Sequence, residues 1–261
     1  MKNDLNNKIA IITGASKGMG LATTKAFLDQ GVKVMMVSRN KENLYEISNK
    51  FLTQGYDIDF TVGDVFDEHL AKKVVDKTIK KWGRVDILIN NAGGPPMGTL
   101  LEQTKESWDK ALQINLLSVI RFTQQVVPYM IKNSWGRIIS ITSTLAIEPS
   151  SSMVLSSTAR AGVSAFTKAI SLELAEYNIS VNVICPGGVL TDRLKELLVV
   201  RSKKENIPYE ELLFKSEQGI PAKRFADPSE IANAIIFLSS QKGAYINGVS
   251  LPVDGSLLKS F

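Results

Sequence analysis

TGASKGMG at residues 13–20 spaces three glycines, Gly14, Gly18 and Gly20, across a tight turn. A helix that follows such a turn presents unpaired backbone N–H groups to a phosphate. Glycines also make ordinary turns, so position decides: this turn lies between a first apolar run and a first helical pattern, where dinucleotide sites are built. Ser16, Lys17 and Met19 share the turn and are counted with it. About 20 residues past the glycines, an NAD site usually carries an acid for the ribose 2′-hydroxyl. This chain has Ser38 and Arg39 there instead. A guanidinium grips a 2′-phosphate through two hydrogen bonds where an acid would repel it, so NADP(H) is expected in preference to NAD(H).

The elements that must hold these residues follow from periodicity. Apolar runs at 9–13 (IAIIT), 32–37, 58–62, 85–90, 137–141, 181–184 and 249–253 read as strands buried on both faces. Helical patterns lie between or after them at 20–30, 41–53, 68–82, 106–132, 157–177 and 228–240, the last with Asp227 as N-cap and Pro228 at its first position. Alternation of this kind means βαβ units in a doubly wound α/β sheet, which binds ligands beyond the carboxyl ends of its strands. Residues 191–224 break the rhythm with two helical fragments and no strand, as a substrate lid does. Their Lys and Arg content suits an acidic substrate or an ordinary solvated helix face.

Composition bounds the rest. The 261 residues suffice for a single domain spanning 1–261, with 44% hydrophobic and 22% charged residues. The polar start MKNDLNNK lacks a signal peptide's apolar stretch, and no run reaches the ~18 apolar residues of a membrane span. One cysteine, Cys185, forms no internal disulfide, consistent with a cytoplasmic location. The net charge of +5 is scattered, so no nucleic-acid partner is expected. No cluster has metal-ligand spacing.

TGASKGMG at 13–20, NNAG at 90–93, Asn115 in QINLLS, Ser143 in IISITS and PGGVLT at 186–191 occur in one order. Together they resemble the short-chain dehydrogenase/reductase family, from about residue 6 to about 255, and within it the subfamily that includes 3-oxoacyl-[acyl-carrier-protein] reductases. The resemblance implies a seven-stranded parallel sheet, a nicotinamide cofactor, a small-molecule or acyl-thioester substrate and a homo-oligomer, tetramer or dimer. It places Asp64 and Val65 at the adenine, and Asn91, Ala92 and Gly93 along the cofactor cleft. Pro186, Gly187, Gly188, Val189 and Thr191 come beside the nicotinamide, and INGVSLPVDGS resembles the last strand, which often packs on a neighbouring subunit.

The same resemblance implies a working set of Asn, Ser, Tyr and Lys. Asn115 and Ser143 match it, but Ser156 stands at the Tyr position and Arg160 at that of the Lys, one helical turn apart. A serine hydroxyl is a far weaker acid than a phenol and needs an adjacent base. A guanidinium ordinarily stays protonated up to pH ~12, so Arg160 is no such base, yet it can still hold the nicotinamide ribose and keep positive charge in place. Asn115, Ser143 and Ser156 would then organise a carbonyl oxygen or a water. A positioned general acid contributes roughly 10²–10⁴-fold, whereas holding reactants in attack geometry supplies ~7–11 kcal/mol, so hydride transfer can survive the loss. The first expectation is therefore an NADP(H)-dependent oxidoreductase with an atypical active site. The alternatives are an NADP(H)-binding protein without redox turnover, acting as sensor or assembly partner, and non-redox chemistry on the same scaffold. His69, beside Asp67 and Glu68, reads as a surface residue and Cys185 as small packing. Trp82, Trp108 and Trp135 read as caps of core or interface. Pro95 and Pro96 stiffen the loop after the fourth strand, either narrowing access or shaping a turn.

Overall fold

In the computed structural model residues 4–260 are described; the first three residues of the polar leading run, and Phe261, lie outside that range. Seven strands form one sheet: β1 (Ile9–Thr13), β2 (Lys33–Ser38), β3 (Ile58–Val62), β4 (Ile87–Asn91), β5 (Gly136–Ile141), β6 (Ile179–Pro186) and β7 (Ser250–Val253). Their order is β3-β2-β1-β4-β5-β6-β7, and every pairing is parallel. Parallel neighbours cannot be joined by a hairpin, so the chain crosses back through helices. These are α1 (Gly18–Asp29), α2 (Lys41–Thr53), α3 (Leu70–Trp82), α4 (Lys105–Leu112), α5 (Ser118–Lys132), α6 (Val154–Leu174), α7 (Asp192–Glu205), α8 (Tyr209–Gln218) and α9 (Pro228–Ser239).

The apolar strand sequences are continuous because both sheet faces are covered. Side chains alternate between faces along a strand. Ala10, Ile12, Val34, Met36, Ile87 and Ile89 pack on Phe27 and Leu28 of α1, Leu44 and Phe51 of α2, and Ile231, Ile235 and Leu238 of α9. The intervening Ile11, Met35, Val37 and Leu88 face Leu70, Val74 and Val75 of α3 and Phe122, Val126 and Met130 of α5. Each fully buried aliphatic or Phe side chain contributes about 1.5–3 kcal/mol. These two cores fix the strand ends, and with them every loop that emerges at the carboxyl edge. Successive crossovers leave in opposite directions from β1 and β4, and the crevice opens there.

Several boundaries differ from the sequence reading, each for a local reason. The helix expected over 106–132 is α4 and α5 joined by a π-helical turn at Gln113–Leu117. Both halves are amphipathic, so the extra residue leaves no gap in the apolar pattern. Helix α6 starts at Val154 rather than 157, α1 starts at Gly18 rather than 20, and β6 extends to Pro186. Helices α7 and α8 are the two fragments of 191–224, separated by Asn206 in the left-handed region (φ 54°). Asp227 caps α9 as expected, accepting from Ser229 N–H, with Glu230 completing a capping box. Trp135 packs on the first core with Lys8 and Arg137 against its ring, and Trp82 on the second. Among the described residues no helix is long and apolar enough to cross a membrane.

Candidate active site

The glycine turn is shaped by close approach. Gly14 and Gly18 have positive φ (59° and 53°), where other residues are strained. A Cβ on Gly20 would lie 2.2 Å from the Gly14 carbonyl oxygen, so only glycine lets α1 begin so near β1. Asn91 locks the turn from the neighbouring strand: its Nδ2 donates to Gly14 O at 3.2 Å, and its backbone N–H donates to Thr13 Oγ1 at 2.8 Å. Thr13 Oγ1 in turn donates to Asn91 O at 3.0 Å. Helix α2 is capped by Asn40 and α7 by Thr191, but no side chain caps α1. Its first N–H groups are therefore available to an anion, and the cradle fits a dinucleotide's pyrophosphate.

The neighbouring loops close round this cradle. Ser16 and Ser38 share a hydrogen bond of 2.8 Å between their hydroxyls. Arg39, with its side chain 74% exposed, reaches Asp64 at 3.5 Å, and Asp64 also accepts from Phe66 N–H. That loose pair leaves the guanidinium free to turn to a ligand phosphate. Lys17 is exposed at the same edge. Val65 offers its carbonyl to Arg121, which also holds Gln113 and so ties the β3 loop to the π turn. On the opposite side, a Cβ on Gly18 would meet Thr191 Cγ2 at 3.2 Å, bringing the segment after β6 against the turn. Gly187 and Gly188 pack on Asp254 and Phe225, Val189 is buried, and Met19 packs on the first core. An open cleft of about 350 Å³ lies between the starts of α1, α7 and α9.

Helix α6 sets the second half of the site. Its spacing places Ser156 and Arg160 on one face, and Arg160 Nε donates to Ser156 Oγ at 3.0 Å. Nη1 donates to the Ile141 carbonyl at 3.4 Å, at the carboxyl end of β5. Nη2 lies 3.6 Å from where a Cβ on Gly94 would stand, so the guanidinium sits under the loop after β4. No salt bridge reaches Arg160 among the described residues, and desolvation by the surrounding packing lowers its pKa to about 10. It remains a cation at neutral pH. Ser156 is buried and accepts a hydrogen bond from a group that cannot take its proton.

Arg160 lines a small cavity with Thr13, Asn90, Asn91, Ala92, Asn115, Ser118, Ser140 and Thr142, with room for about one water molecule. Asn115 lies within the π turn and donates from Nδ2 to Ala111 O at 3.2 Å. π turns inside α-helices concentrate at functional sites, where the extra residue re-aims a side chain. Ser143 caps a short 3₁₀ turn after β5, its Oγ accepting from Leu145 N–H at 3.3 Å, so its own O–H is left to donate outward. The structure thus joins Ser156, Arg160 and Asn115 directly or across one cavity, with Ser143 on the adjoining turn. Gly93 is exposed beyond them, Pro186 is buried at the end of β6, and Pro95 is buried while Pro96 is not.

Thr13, Asn90, Gly94 and the Ile141 carbonyl complete the site without having been singled out in the sequence. Thr13 opens the glycine motif and Asn90 opens NNAG, so position alone offered a signal for them; the Ile141 carbonyl offered none. Cys185 is buried beside Thr142 Oγ1 at 3.3 Å, and burial pushes its thiol up, as suits a packing residue. His69 is exposed and near Glu68. In the 191–224 segment Arg193, Arg201 and Lys215 pair with carboxylates of the segment and Arg224 pairs with Glu230 beyond it, so half of its eight basic side chains are balanced nearby.

Comparison with known proteins agrees with this geometry. The short chain dehydrogenase family model matches residues 8–199. The chain is 35% identical over 254 residues to the 3-oxoacyl-[acyl-carrier-protein] reductase FabG of Thermotoga maritima, covering 97% of this chain and 99% of that protein. L-sorbose reductase from Gluconobacter frateurii, solved with NADPH and L-sorbose, has a TM-score of 0.95 at 30% identity and full coverage of both chains. YwfH, an NADPH dependent reductase involved in bacilysin biosynthesis, has a TM-score of 0.93 at 29% identity over 98% of this chain and 100% of that one.

Proposed function

Because the chain belongs to the short chain dehydrogenase family, we propose that it is an NADP(H)-dependent oxidoreductase acting on a carbonyl or alcohol without the family's usual Tyr and Lys. The observation that carries this reading is the glycine cradle locked to Asn91, with Arg39 at its rim and Arg160 at its far end. Gly14, Ser16, Lys17, Gly18, Met19 and Gly20 hold the pyrophosphate side, while Ser38 and Arg39 take the 2′-phosphate. Asp64 and Val65 border the adenine. Asn91, Ala92, Gly93, Pro186, Gly187, Val189 and Thr191 line the remainder of the cofactor cleft. The cofactor, when bound, supplies or accepts the hydride; the protein's part is to orient and to stabilise charge.

Ser143 donates to the substrate oxygen. Arg160 holds the nicotinamide ribose, keeps positive charge beside that oxygen and fixes Ser156, and Asn115 keeps the adjoining cavity polar enough to seat a water. Preorganised donors aimed at developing oxyanion charge are worth roughly 2.7–4 kcal/mol each in acyl-transfer sites. Water, rather than Ser156, gives the final proton, since no base stands beside that hydroxyl. The α7–α8 segment, with Val199, Val200 and Phe214 exposed, acts as a lid over the mouth within a single domain.

Fluorescence titration with NADPH followed by a carbonyl panel in the same cuvette tests this reading. Tight binding with NADPH oxidation on at least one carbonyl is expected; no consumption across the panel would remove the reductase. The Arg160-to-Ser156 hydrogen bond favours one other reading, a cofactor-binding protein without turnover. Under it, Ser156→Tyr with Arg160→Lys creates activity where the unmodified protein has none.

A further inference from the structure

Arg160 is a cation that the protein itself does not neutralise. Arg39 meets Asp64, and the lid residues Arg193, Arg201, Lys215 and Arg224 meet Glu196, Glu205, Glu211 and Glu230. Arg121 donates to the Val65 and Gln113 carbonyls and to Gln113 Oε1. Arg160 has only Ser156 Oγ and the Ile141 carbonyl, both neutral, and the rest of its fork finds no acceptor among the described residues. Arg160 is half-buried, so the unfilled edge of its fork stays open to a ligand rather than sealed inside the protein. A guanidinium with a free edge matches a carboxylate through two parallel hydrogen bonds.

The nicotinamide ribose expected beside Arg160 offers only neutral hydroxyls, so the cofactor provides no anion there. Its pyrophosphate belongs at the uncapped start of α1 and its 2′-phosphate at Arg39, whereas Arg160 lies at the ends of β4 and β5 under Gly94. The anion must then come with the substrate. Resting on the reductase reading above, we propose that the site takes a carbonyl compound bearing a carboxylate next to the reacting carbon, a 2-oxo acid, and that Arg160 binds this carboxylate. The keto carbon gains the hydride leaving the reduced nicotinamide, its C=O π pair becomes an oxyanion, and water supplies the proton, forming a 2-hydroxy acid. The oxyanion develops beside the carboxylate, so the same guanidinium that seats the substrate stabilises the charge that a phenol would have quenched. This accounts together for an arginine at 160 and a serine at 156.

The test uses the whole protein saturated with NADPH and two non-reducible probes of equal size, oxamate (anionic) and oxamide (neutral), in isothermal titration. Pyruvate and phenylpyruvate, each against its methyl ester, are compared for turnover. Oxamate is expected to bind at least tenfold tighter than oxamide. Arg160→Gln should erase that difference, with Arg160→Lys retaining part of it, and the free acids should be reduced faster than their esters. Equal binding of the two probes by the unmodified protein, or a difference that persists in folded Arg160→Gln, overturns the assignment. If Arg160→Gln does not fold, the unmodified protein and Arg160→Lys decide it. Arg160-dependent oxamate binding with no NADPH oxidation on any acid sinks the reductase reading and leaves the carboxylate site standing. Rapid reduction of neutral ketones with no oxamate binding does the reverse.

Discussion

Arg39 and Arg160 show how much one side chain can decide and how unevenly sequence reveals it. Arg39 could be singled out from the sequence because the role expected of it depends only on distance along the chain from the glycines. The Ser156–Arg160 pair was legible as a spacing, but the Ile141 carbonyl that receives Arg160 was not. Only the packing of α6 on β6, the strand beside β5, brings them together. If Arg39 takes a 2′-phosphate, Arg39→Ala loses charged hydrogen bonds worth about 1.5–3 kcal/mol, weakening NADPH roughly 10- to 100-fold. NADH, lacking that phosphate, should change less than threefold. Parallel titrations with the two dinucleotides check this, and equal losses would put the 2′-phosphate elsewhere.

At the scale of elements, the strands and most helices were readable because burial on both faces leaves unbroken apolar runs. The π turn was not, since an inserted residue between two amphipathic halves keeps both halves periodic. Helix α9 was readable to its cap, and its N-terminus carries a pH-dependent device. Two hydrogen bonds from Arg224, with the Asp227 backbone N–H, lower the pKa of Glu230 to about 2. The folded value lies below the unfolded value of ~4.3. The contribution is therefore present above about pH 4.3 and is lost as pH falls towards 2. Glu230→Gln should be less stable near neutral pH and lose less additional stability between pH 4.5 and 2, as followed by urea unfolding at each pH. An unchanged acid profile would show that this ion pair does not couple to folding.

Across the whole molecule, the proposed cofactor site draws on loops after β1, β2, β3, β4 and β6 and on the start of α7, so its ligand braces elements far apart in sequence. NADPH at about 100 times its Kd adds roughly 2.7 kcal/mol to stability, raising Tm by about 5–10 °C in a protein of this size. A melting curve unmoved by NADPH would mean that the cradle holds no such ligand. The π turn at Gln113–Leu117 has a consequence of another kind, for inheritance. Each residue of an α-helix advances about 100°. Loss of a single codon within that turn would spare the reading frame and could leave a regular helix. It would also rotate α4 against α5 by that angle, swinging Asn115 away from Arg160, so this short stretch has a length that evolution can alter only by giving up the site.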